Sequence, residues 1–257
     1  MSLGLGMFAF DREWLDENRV STLQAAFEIA PPTKAGASDP MRRYHPGMPL
    51  ELYEGGARQV LVEGPEGRTS GQFEETFAAT GGGGAVGECL IRLRTENLEE
   101  LHSLRRFAIW LGGLPECVFG TWCEPLNRDQ YESEFCDRGS RTPRYLSELG
   151  LPRLGTLTFF GREVAGRIGP GTLDALGAAK LGERNVVVEL HHGEGLTGDE
   201  LVELQEQRSA PLIATGLVAP FMQAEGFGEP APNWRPLRLV AGWTPKSLPP
   251  FRLDPFS

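Results

Sequence analysis

The reactive side chains of this sequence are few, and their spacing limits the chemistry open to them. Four histidines and four cysteines are spread over 257 residues. The most suggestive group is His191-His192-Gly193-Glu194-Gly195, which follows the apolar run Val186-Val187-Val188. Groups just past the end of a strand are well placed for catalysis, because a rigid element holds them where a loop gives access. Joined by a thiol such as Cys123, His191 and His192 are the candidates for a nucleophile and its base. An exposed polar turn explains the same residues and ranks ahead of that reading. No Gly-x-Ser-x-Gly elbow occurs, and no cysteine lies in a local catalytic signature.

Metal chemistry is less favoured still. Cys117, Cys123 and Cys136 with the two histidines lack the close cysteine pair that marks a zinc sequence. Cys117 and Cys123 are an even number of residues apart, so a regular strand puts both on one face, as small core thiols. Gly81 to Gly84 would suit a phosphate loop only with a strand before it and a helix after it. Here a strand follows and no Gly-Lys-Ser/Thr signature is present, so a turn is the better reading. His45 and His102 have no suggestive context. The sequence therefore leads to the expectation of no metal and no cofactor.

Carboxylates gather at Glu132, Glu134 and Asp137, and again at Glu194, Asp199, Glu200 and Glu203. By default these are solvated faces. Their functional alternative is to steer a basic partner. A net charge of −10 disfavours broad contact with nucleic acid or anionic lipid. No apolar run reaches the roughly 18 residues of a transmembrane helix. The opening MSLGLGMFAFDREW lacks a basic leader and is not read as a secretory signal. Cys89, Cys117, Cys123 and Cys136 are then expected to stay reduced, in a bacterial cytoplasm.

The elements that must position these groups can be read in turn. Asp11 to Ile29 has helical spacing, with Trp14, Leu15, Leu23, Ala26 and Phe27 as core positions and a weak middle at Asn18 and Val20. Residues 31–49 form a long Pro-rich polar connection. Leu50 to Tyr53 and Arg58 to Val62 read as short strands, and Gln72 to Ala78 pairs back as a hairpin. Glu88 to Arg94 alternates as a half-buried strand. Asn97 and Glu100 form a capping box for a helix whose face is Leu98, Leu101, Leu104, Ala108 and Leu111. Gly112-Gly113 closes that helix, and Cys117 to Cys123 is the next strand. Residues 124–147 are a polar loop.

The best-patterned stretch is Leu154 to Leu190. Residues 154–160 suit a strand, Arg162 to Ile168 a short helix ended by Gly169-Pro170, and 186–188 a buried strand. A second capping box at Thr197 to Glu200 starts a helix expected to reach about Arg208, before Pro211. Residues 220–257 hold eight prolines and the aromatics Phe221, Phe227, Trp234, Trp243, Phe251 and Phe256. This excludes regular helix, and the aromatics argue against a free tail. An extended segment packed on the body is expected, with Trp234 and Trp243 as the alternative docking residues.

Tyr145 to Leu190 resembles a bacterial immunity-protein family linked to polymorphic toxin systems, whose myxobacterial relatives are of unknown function. The shared features are Leu151-Pro152, Phe160-Gly161, Ile168-Gly169 and the apolar strand Val186 to Leu190. Relatives carry a Pro-Trp stretch after that strand, where this chain has His191 to Gly195. The resemblance covers under a quarter of the chain and implies a non-catalytic cytoplasmic protein that binds and neutralises a toxin. The matched positions are fold-forming, so no toxin-contacting residue carries over.

Hydrophobic content of 40% and charged content of 23% are those of a globular protein, and the length allows a sizeable core. The expected fold is α+β: a mixed or antiparallel sheet with helices on one side. Residues 1–219 are expected to form one domain, with 50–140 and 141–219 as two related strand–helix–strand halves. The expected function is binding of a protein partner, in particular a basic toxin, through Glu194, Asp199, Glu200, Glu203, Trp234 and Trp243. An enzyme built on His191, His192 and Cys123 is the alternative. A third reading is an assembly protein using its C-terminal segment.

Overall fold

The computed structural model describes residues 2–29, 31–57, 59–64, 70–79, 85–95, 98–124, 150–190, 198–218, 222–223, 226–227 and 232–234. They build one ten-stranded sheet and six helices. In chain order these are β1 (Ser2–Asp11), α1 (Arg12–Ile29), β2 (Lys34–Gly36), β3 (Arg42–Arg43), α2 (Met48–Glu54), β4 (Gln59–Glu63), β5 (Ser70–Ala79), β6 (Ala85–Thr95) and α3 (Leu98–Gly113). There follow β7 (Cys117–Cys123), β8 (Leu157–Phe160), α4 (Arg162–Ile168), α5 (Pro170–Ala175), β9 (Ala179–Leu181), β10 (Asn185–Glu189) and α6 (Gly198–Ala214). A separate two-stranded ribbon joins β11 (Met222–Gln223) to β12 (Gly226–Phe227). The sheet order is β3-β2-β4-β5-β6-β1-β7-β8-β10-β9, and every pair is antiparallel. The α+β class read from the sequence is the class observed.

The first strand is central. β1 lies between β6 and β7 and buries Phe8 and Phe10 on one face and Ala9 on the other. Phe8 packs on Phe159 with ring centroids 5.7 Å apart, and Phe10 stacks on Trp14 at 4.7 Å. Gly6 and Gly120 make room for this aromatic layer. A β-carbon at Gly6 would meet the Phe8 ring at 2.8 Å, and one at Gly120 would meet it at 2.5 Å.

Because the central strands bury apolar side chains on both faces, each face needs a cover. α1, α2 and α3 supply Trp14, Leu23, Phe27, Met48, Tyr53, Leu104, Phe107 and Leu111 to one core. On the opposite face α4 and α6 supply Val164, Ile168 and Leu212, packed with Phe119, Phe160 and Val188. The one-sided helix layer expected from the sequence therefore holds for the first half of the chain, and the second half covers the other side. The two strand–helix–strand units also connect differently. β6 and β7 flank β1 and run parallel to each other, whereas β8 and β10 are antiparallel neighbours.

Local rules explain the other departures. Leu50 to Tyr53, read as a strand, is helical in α2. Pro49 sits in its first turn, where a missing N–H costs nothing, and Gly56 at φ +82° lets the chain turn out of it. α1 runs unbroken because its buried polar groups bond within the helix. Asn18 Nδ2 donates to Trp14 O at 2.8 Å, and Thr22 Oγ1 donates to Asn18 O at 2.9 Å. α6 continues through Pro211 to Ala214. The carbonyl deprived of a donor belongs to Gln207, an exposed residue, so water can serve it. The connection 31–49 contains β2 and β3 and is tied to β4 by Thr33 N–H donating to Glu63 O at 2.8 Å.

Cys117 and Cys123 do not share a face. The pairing of β1 with β7 shifts between Ala9 and Phe10, so Phe10 faces Cys117 while Ala9 faces Phe119. Val118 is the extra residue of a bulge, and a bulge of one residue reverses the alternation. Cys117 enters the core under α1 and α3, and Cys123 enters the core under α4.

Candidate functional site

β7 and β10 are each antiparallel to β8, so they point the same way and leave the sheet at the same end, about 10 Å apart. α3 packs across this end and brings Arg105 to both exits. Arg105 Nη1 donates to Glu124 Oε1 at 3.2 Å and Oε2 at 3.1 Å, and Nη2 donates to Glu189 Oε1. Glu124 is held further by the Trp122 indole N–H, at 2.7 Å, and its own backbone N–H donates to Thr156 Oγ1 at 3.0 Å. Thr156 O in turn accepts from Leu190 N–H at 3.0 Å. One guanidinium thus ties the last residue of β10 to the first residue after β7.

Burial grades the cluster. The Arg105 and Glu124 side chains are each 14% exposed, against 44% for Glu189. Both oxygens of Glu124 accept from described donors. The arrangement is an electrostatic tie that fixes two chain exits, with the Glu189 carboxylate as its solvent-facing member.

α6 secures the neighbouring approach to β8. Gln205 Nε2 donates to Leu154 O at 2.7 Å, and Leu154 N–H donates to Ser209 Oγ at 3.1 Å, so one helical turn grips both backbone groups of a single residue. Leu151 N–H donates to Leu217 O at 2.7 Å, and Arg153 pairs with Glu206. These contacts explain why the thin apolar stripe of α6 suffices. Buried polar bonds supplement it.

The residues singled out from the sequence fall in different places. Cys123 is 4% exposed, with Sγ 3.9 Å from Thr121 Oγ1. Cys117 is fully buried, and burial pushes its thiol far above the usual range. Both therefore sit as core thiols. His191, His192, Glu194 and Trp243 lie outside the described residues, as do Gly81 to Gly84, Asn97 and Cys136. Asp199, Glu200 and Glu203 are exposed on the first turns of α6. Trp234 is half-buried beside Asn233, whose Nδ2 donates to Ala214 O at 2.6 Å and caps the end of α6. The acidic residues and Trp234 thus occupy opposite ends of one helix.

The Arg105, Glu124 and Glu189 cluster is absent from the sequence reading. Its only trace is that the two apolar runs VFGTWC and NVVV are each followed directly by a glutamate. Among the described residues, no three His, Cys, Asp or Glu side chains are grouped to hold a metal, and no helix is long and apolar enough to cross a membrane.

No protein-family model matches this chain, and no curated protein matches it in sequence. In structure it is similar to the Pseudomonas aeruginosa T6SS protein PA0821, with a TM-score of 0.57 at 13% sequence identity. The likeness covers 95% of this chain and 79% of that one. At such identity it is a likeness of fold.

Proposed function

We propose that this chain is a binding protein of the immunity or defence type, which neutralises a toxin or other protein by surface complementarity. The observation that carries the reading is the structural likeness to a T6SS protein over 95% of the chain. It agrees with the resemblance of Tyr145 to Leu190 to immunity proteins of polymorphic toxin systems. The partner is basic in this reading. The net charge of −10 and the exposed carboxylates Asp199, Glu200 and Glu203 favour its approach.

Co-expression with the secreted toxins of the same genome tests this. Growth should be restored with one of them, and the two proteins should co-elute as a stoichiometric complex. Asp199→Lys with Glu203→Lys should weaken capture, and the loss should be larger at low salt than at high salt. If no toxin is captured or neutralised, the proposal fails. Protection at far below stoichiometric amounts would point to catalysis instead.

A further inference from the structure

We draw no further inference here: the strongest candidate, the Arg105–Glu124–Glu189 ion cluster where β7 and β10 leave the sheet, belongs to the site already described, and nothing in the structure shows what would cover its solvent-facing side.

Discussion

A single nitrogen of Arg105 lies within hydrogen-bonding distance of both carboxylate oxygens of Glu124, at 3.2 and 3.1 Å. The two side chains are nearly buried, so removing the cation leaves a carboxylate whose remaining side-chain donor among the described residues is the Trp122 indole N–H. Arg105→Leu should cost about 1–3 kcal/mol in urea unfolding. Glu189→Gln removes a half-exposed partner and should cost under about 1 kcal/mol. Equal losses for the two variants would mean that burial does not grade this cluster as described.

Gly112 and Gly166 should respond to alanine with opposite signs. Both are helical glycines, and in an open helix interior the change gains about 1 kcal/mol. Gly166 in α4 is exposed, with nothing within 4 Å of an added β-carbon, so Gly166→Ala should stabilise. At Gly112 in α3 the added carbon would come far inside van der Waals contact with the ring of Phe159, which is fully buried. Overpacking typically costs about 1–3 kcal/mol, enough to reverse the gain. Thermal melts of the two variants decide it; stabilisation by Gly112→Ala would show that Phe159 has room to move.

How much of this was legible depended on how local each cause is. α1, α4, β7 and β10 are set by short-range pattern, with Gly161 and Gly169 bounding α4 and Pro31-Pro32 following α1, and the sequence marks them within a residue or so. β1 was missed because glycines alternate with apolar residues in its first half and Phe8, Ala9 and Phe10 bury on both faces, which erases the two-residue period. The bulge at Val118 is set by the partner strand, so the even spacing of the cysteines misled. The ion cluster joins residues 19 and 84 positions apart, and nothing local records such a meeting. Helix placement on two faces followed from the same blind spot, since a central strand that is apolar on both sides requires it.

The two edges of the sheet carry short strands with exposed basic side chains. β3 offers Arg42 and Arg43, and β9 offers Lys180. Short edges and charges, lysine above all, discourage pairing between sheets. Lys180→Val should therefore raise self-association, read by sedimentation across a range of concentrations. An unchanged profile would show that length alone protects this edge.

Cys117 supplies a pH prediction whose sign follows from its burial. Its thiol is pushed well above the ordinary value of 9.0, because the surrounding core penalises the thiolate. In the unfolded chain the group ionises normally. Below that unfolded value the thiol is protonated in both states and stability is unaffected by it. As pH rises past it, the unfolded state alone releases the proton, and stability falls by up to about 1.4 kcal/mol per pH unit. Other groups titrate in the same range, so the informative quantity is the difference between the parent and Cys117→Ala. The variant begins less stable, having lost packing in the core, but the gap should narrow between about pH 8.5 and 10. Thiol reagents at neutral pH should meanwhile leave Cys117 unmodified until denaturant is added. A gap that stays constant across that range, or rapid labelling of the native protein, would mean that solvent reaches this strand despite its place between two packed layers.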